Sequence, residues 1–447
     1  MDNRPGFALI STNIMNRLYF SIRSLLLTGA TLFSLPHGAL ALEPRTWISL
    51  DGRTIDAELI KSDGDMVELK DKEGRTLKVP KLSLSYGDND YIAEFAPEEK
   101  KGGLTPKPSG KVKLPSPAKE MKFSPKVVKK DAGEIKLGDI AFRYCESPHF
   151  KILYSKGVDP SDTAELAERL WHDTAFFHAS FAGKFKDRRM AVIMADTEKD
   201  YPALGKWFEE ELRSSGNTKA ADSIQKSWLE GGSTTIGLSS GTAADNGLLT
   251  EATVIRMIGR TPPKDQKAQG DNAKGVWGSF RTHVLSGDLM QIQAGGVAGF
   301  AKEGIFAIFT GHSFYKEIDL TGTSVTGVIQ QDTGNKASAG KGYENGKNWA
   351  GELKQRIRKG DVKPSLFTLF ASSRNDAKAD DLALAYSFSR FLQSTPERHT
   401  AYGKLMERIS TAKQVPDTAA IAKIYGLENE EALEKEWLSY VSSGDFR

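Results

Sequence analysis

The chain has 447 residues, 39% hydrophobic and 27% charged, with 61 basic against 58 acidic side chains and a net charge of +3. That is a globular composition, long enough for two or three domains, and charge mixed so evenly offers no concentrated basic face for nucleic acid. The single cysteine, Cys145, excludes an internal disulfide and a multi-cysteine zinc knuckle, so any metal site would draw on carboxylates and the 7 histidines.

Arg17 and Arg23 flank the start of an apolar stretch over 24–35, which Pro36 and the small-residue triplet Ala39-Leu40-Ala41 follow. The pattern predicts a signal peptide over 1–41, with translation starting at Met1 or Met15. Its apolar core of about twelve residues is shorter than the about 20 that a spanning helix needs. The mature chain is therefore expected in the periplasm or outside the cell, with no transmembrane segment after cleavage.

Residues 42–96 carry short β-rich runs at 45–49, 54–61, 66–70 and 76–80, separated by Asp51-Gly52, Asp63-Gly64-Asp65 and Glu73-Gly74. In the second run Ile55, Ala57 and Leu59 alternate with Asp56, Glu58 and Ile60, so one face can be buried while the other is mostly wet. Turns at this spacing predict a small antiparallel barrel. Arg45-Thr46-Trp47, Asp51-Gly52-Arg53, Ala57-Glu58-Leu59, Val67-Glu68-Leu69-Lys70, Val79-Pro80 and Asp90-Tyr91-Ile92 together make this stretch resemble the SLA homology domain 1, an SH3-like module. The resemblance implies protein or peptide binding, with Trp47 and Tyr91 as binding residues; the alternative is a spacer that only folds.

Residues 97–136 interleave prolines with lysines and have few aromatics, which predicts an extended, flexible linker. Its lysines could touch an anionic envelope surface weakly, against the alternative of a solvated tether.

In 137–447 a strand at 150–154, a helix at 161–181, a strand at 189–195 and a helix at 201–212 open an α/β or α+β domain. On the first helix Ala167, Leu170, Trp171, Thr174, His178 and Phe181 share one face, with His172 and His178 read as rim and packing residues. Long loops are expected over 214–247 and 260–274 around one strand at 233–238, and an amphipathic helical array over 380–392, 398–410, 418–425 and 430–441.

Two segments could carry chemistry: Trp277-Gly278-Ser279-Phe280-Arg281-Thr282-His283 and Phe300-Ala301-Lys302-Glu303-Gly304. With the strands before them and the helices around Tyr386 and Trp437, they make residues 142–442 resemble the gluzincin-like, peptidase-MA type of zinc hydrolase. In that family one helix bears His-Glu-x-x-His, in which two histidines on one face hold zinc and the glutamate activates water. A second helix about twenty residues on supplies a third, carboxylate ligand, here matched by Glu303. The departure lies in the first helix: Ser279 stands in place of a histidine and Phe280 in place of the base. Phenylalanine cannot take a proton from water, and two side chains would hold zinc weakly.

The expected architecture is multi-domain: a small all-β SH3-like barrel followed by an α+β zincin-like domain with a mainly helical C-terminal half. The expected function is non-catalytic binding of a protein or peptide in the cell envelope, with no cofactor, no catalytic residue and binding residues Trp47, Tyr91, Ser279, His283, Glu303 and Tyr386. His283 and Glu303 are read as vestigial ligands, with Glu303 expected to pair with a neighbour such as His283 or a backbone amide, so that Glu303→Ala would destabilise the domain; His312 is a remote substitute ligand. The alternatives are an active zinc metallopeptidase with an altered ligand set and a structural spacer. Gly237-Leu238-Ser239-Ser240-Gly241 also fits the nucleophile-elbow pattern, but the turn residues after it predict no helix behind the serine.

Overall fold

In the computed structural model the described residues are 44–95, 114–196, 198–230, 233–257, 276–296, 303–324, 343, 348–373 and 377–447. All of them belong to one unit, Leu42–Arg447. The expected signal peptide, part of the linker and the loop over 260–274 lie outside them.

The first sheet is an antiparallel meander of β1 (Arg45–Ile48), β2 (Thr54–Asp63), β3 (Met66–Asp71) and β4 (Thr76–Pro80). Alternation does the work predicted for it: Ala57 and Leu59 point inward with Trp47, Val67 and Leu69, and Leu84 and Ile92 close the same small core. The same alternation leaves Ile60 exposed, and the pairing with β3 shifts register between Leu59 and Lys61. The chain then enters α1 (Tyr86–Phe95), where buried Asp88 accepts a hydrogen bond from the main-chain N–H of Ile48 at 2.8 Å and pairs with Arg45 at 2.9 Å. Burial pushes the Asp88 carboxyl above its ordinary range.

The predicted linker over 97–136 is corrected at its C-terminal end. Residues 114–128 include α2 (Pro117–Glu120), and their carbonyls at Ala118 and Met121 accept from the Arg169 guanidinium at 2.9 and 3.0 Å. Lys122 donates its main-chain N–H to Asp51 of the first sheet. Gly52, at φ +83°, lies so close to this segment that a Cβ would sit 2.7 Å from the Met121 Cγ. Lysines and prolines read as a solvated tether because the few apolar residues among them, such as buried Ala118, give no periodic signal.

The second sheet has six strands, β5 (Lys129–Leu137), β6 (Ile140–Glu146), β7 (Phe150–Tyr154), β8 (Arg189–Asp196), β9 (Ser233–Gly237) and β10 (Leu248–Met257), in the order β5-β6-β7-β8-β10-β9. β7, β8 and β10 run parallel; β9 is an antiparallel edge. The central strand β8 is buried almost throughout, as covering on both faces requires. Met190, Val192 and Met194 face one core, formed with α3 (Ser161–Phe177) and α8 (Ser279–Gln293); Ala191, Ile193 and Ala195 face another, formed with α5 (Asp200–Ser214).

The predicted first helix stops at Phe177, where His178 leaves helical geometry before the short α4 (Ala179–Ala182). The predicted loop over 214–247 instead contains α6 (Thr218–Ser227) and α7 (Ser240–Asp245). Asn217 caps α6 by accepting from the Ala220 N–H, a start signal hidden among glycines and serines.

The C-terminal half begins with a π-helical turn, Phe306–Thr310, that runs into α9 (Gly311–Thr321). It continues through α10 (Trp349–Lys359), α11 (Leu366–Ala371), α12 (Ala379–Leu392), α13 (Pro396–Ala412), α14 (Thr418–Ile424) and α15 (Glu430–Ser442). A Cβ at Gly311 would run into the carbonyl of Ala385, so glycine there permits close packing of α9 on α12. No helix among the described residues is long and apolar enough to cross a membrane.

Candidate functional site

Ser279 and His283 lie four apart on α8 and so share a face, and α9 packs along it. The carboxylate that meets them belongs to Glu317. Ser279 Oγ donates to Glu317 Oε1 at 2.5 Å, His283 Nδ1 lies 3.0 Å from Oε2, and Ser324 Oγ donates to Oε2 at 3.1 Å. Glu317 is 0% exposed, and His283 and Ser279 are buried with it. A carboxylate removed from water this completely is tolerated when donors surround it, as they do here. The His283 ring also packs edge-on against Phe314.

The expected pairing of Glu303 with His283 is not what the structure has. Glu303 is exposed, in the turn just before the π-helical stretch, where Gly304 takes φ +76° and donates its N–H to the carbonyl of Phe370. That turn leaves the Glu303 carboxylate in water. Glu317 was open to detection: Thr310, Ser313, Glu317 and Leu320 recur at three-to-four spacing on a helix otherwise rich in buried residues, and an acid on such a face needs donors.

Three chemistries can be tested against this geometry. A metal centre would need three or more ligands, and among the described residues no group of three or more His, Cys, Asp or Glu is placed to hold an ion. Glu317 contacts His283 through Nδ1, the way an outer carboxylate orients a metal-binding histidine, but the second helical position is Ser279 and its hydroxyl is committed to the same carboxylate. Ser279, His283 and Glu317 by themselves do not make a zinc site. A nucleophilic triad needs histidine between the hydroxyl and the acid, whereas here the acid stands between Ser279 and His283. Phe280, in the base position, is buried in the apolar core under the sheet.

The second half of α8 is tied to the edge of the sheet. Asp288 accepts hydrogen bonds from Thr253 Oγ1 on β10 and, at 2.9 Å, from Thr235 Oγ1 on β9. Burial pushes its carboxyl up to about 6, against the pull of the two hydroxyls.

Other sequence-singled residues fall elsewhere. Trp47 is 1% exposed and donates Nε1–H to the Ala57 carbonyl, so it offers a ligand nothing; Tyr91 packs edge-on against it, under Arg45. Tyr386 is buried in the C-terminal core, where its hydroxyl accepts from Arg390. His312 is buried beside Gln393 and Tyr402, in a cluster with His178 and His399 that does not include His283. His172 and His178 are both buried, so neither is a rim residue. A helix, α7, does follow Ser239, contrary to expectation, but the exposed Ser239 serves as its cap by accepting from the Thr242 N–H. Buried Cys145 has its thiol pushed up to about 11, far from a reactive thiolate.

No family model, no curated protein and no solved structure matches this chain.

Proposed function

We propose that this is an exported, non-catalytic peptide-binding protein, built from an SH3-like barrel and a peptidase-like α+β domain whose helical site has been given over to structure. The observation that supports it is Glu317: one buried carboxylate takes the hydroxyls of Ser279 and Ser324 and the imidazole of His283, while Phe280 fills the place of a base. Groups locked to each other in this way are not poised to activate water.

Binding has a surface beside that helix. β9 is the last strand of the second sheet among the described residues, and α8 is fastened next to it through Asp288 and Thr235. An extended peptide can add to such an edge through main-chain hydrogen bonds, with side-chain pockets supplying selectivity. Export rests on the apolar run over 24–35 and the Ala39-Leu40-Ala41 triplet.

The test is incubation of the full chain, supplemented with zinc, with a library of quenched fluorescent peptides, read for cleavage and by anisotropy for retention. Saturable retention without cleavage is the expected result. Cleavage that a chelator abolishes would overturn the proposal.

A further inference from the structure

Three imidazoles are buried together where the end of α3 meets α9 and α13. His178 follows α3, His312 lies on α9 and His399 on α13, and none is more than 8% exposed. His178 and His399 are 6.5 Å apart, and the Tyr402 ring stacks 5.8 Å from His178 and 5.9 Å from His312. His399 stacks on Phe177 at 3.8 Å, and Phe177 stacks on Tyr86 of α1 at 5.3 Å. Phe177 belongs to the apolar core under the sheet and Tyr402 to the C-terminal core, so the cluster sits on the seam between the two.

The hydrogen bonds of these rings go to neutral groups. His178 Nδ1 meets Gln293 Nε2 at 2.7 Å, and His312 Nδ1 meets Gln393 Nε2 and the Tyr402 hydroxyl at 3.3 Å each. His178 Nε2 and His399 Nδ1 have no hydrogen-bond partner. Two charges share the interior, Lys316 on α9 and Asp173 on α3, and they pair at 2.5 Å. The field of Lys316 reaches all three rings.

Other charges stand at the openings on either side. Asp90, Glu94 and Glu407 line a cleft beside His178, with Arg45 and Lys404 among them. Asp319 and Asp445 line a cavity beside His399, with Lys119 and Arg390 among them. The ion pairs that histidines make among the described residues are those of His149 and His283, so none of these acids holds His178 or His399.

With neutral imidazoles the seam contains one balanced ion pair. Each added proton places a further cation near Lys316, whose one acid is already taken, and a buried charge without a partner is costly. Separating α13 from α3 lets water reach the rings, which then take a proton at its ordinary value, so acid favours the separated form. We propose that the seam is an acid-released latch: protons taken up at His178 and His399 part α13 from the end of α3 while each apolar core stays folded. α13 is also one wall of the cleft of about 680 Å³ that it shares with α1, so parting it opens that cleft. The latch is independent of peptide binding at β9.

Hydrogen–deuterium exchange of the full chain between pH 7 and pH 4.5, corrected for the intrinsic rate, tests it. Protection of α13 and of the last turn of α3 should fall about 20-fold per histidine from pH 7 to pH 5, and recover on return to pH 7. Strands β7, β8 and β10 should stay protected throughout. His178→Gln combined with His399→Phe, which keeps a ring against Phe177, should cut the pH-dependent loss in α13 at least about tenfold. If that variant does not fold, the ring-proton resonances of the parent decide: His178 and His399 should stay neutral while the seam is shut and titrate together as it opens. Protection of α13 that ignores pH, loss of α13 and β8 in a single step, a double variant that behaves like the parent, or histidines that titrate separately near 6.5 would overturn the proposal.

Discussion

Glu317 and Asp319 are two residues apart on the same helix and live in opposite circumstances. Glu317 is sealed from water and held by a serine on α8, a histidine on α8 and a serine beyond its own helix. Asp319 is half-buried beside a cavity, and its carboxylate forms no ion pair with a described residue. The first arrangement has spent its polar groups on holding α8 to α9; the second leaves a carboxylate facing open space. What separates the two is not residue type, since both are acids on one helix, but whether the hydrogen-bonding capacity of the carboxylate is already used.

The largest expected effect comes from breaking the sealed side. Glu317→Ala leaves Ser279, Ser324 and His283 without their shared acceptor, at a cost of about 3–5 kcal/mol in urea unfolding. A loss below about 1 kcal/mol would mean that the cluster is not what joins the two helices.

Acid titration probes the buried histidines His178, His312 and His399. Burial, with Lys316 nearby, pulls His178 down from 6.5 to about 4, and His312 and His399 are also held well below their ordinary value. A depressed folded pKa means that the unfolded chain binds the proton first. Stability from His178 is therefore complete above pH 6.5 and is lost as pH falls toward 4, by about 3 kcal/mol for this residue alone. Melting temperature should drop steadily from pH 7 to pH 5, and a flat profile would show that these rings can take up protons where they sit.

Asp288 supplies the opposite slope. Its folded pKa of about 6 exceeds the ordinary 3.8, so the folded state holds the extra proton and stability falls as pH rises between those values. Asp288→Asn should remove that slope, worth about 2 kcal/mol after allowance for partial exposure. Comparing the pH dependence of the variant with that of the parent separates it from the histidines.

The smallest effect belongs to Glu303. Exposed in a turn, it should tolerate Glu303→Ala within about 0.5 kcal/mol in the same urea titration, an order of magnitude below Glu317→Ala. A large loss at Glu303 would restore the pairing with His283 that spacing alone suggested.

Strands, helices and their layering were legible where periodicity is strong. Ala57 and Leu59 marked the inner face of β2, and the helices over 379–392, 396–412, 418–424 and 430–442 fall within two residues of their predicted bounds. The short α6 and α7 were hidden because glycine, serine and asparagine serve both as loop residues and as caps. α10 was missed for another reason: its start at Trp349 follows an asparagine cap in left-handed geometry, within a glycine-rich stretch. Of the site, Ser279 and His283 were readable because helical spacing puts them on one face. Spacing also marks Glu317 as an acid on a buried face, but which of two acids fourteen residues apart reaches Ser279 and His283 depends on the turn at Gly304 and on how α9 packs, and neither has a local signature.

The central claim is that Glu317 closes the helical site and leaves no zinc centre. Elemental analysis of the full chain, dialysed against micromolar zinc and then against metal-free buffer, tests it most directly. The account predicts no tightly held zinc, in a protein that remains folded throughout. About one zinc per chain, lost on both His283→Ala and Glu317→Ala, would contradict it.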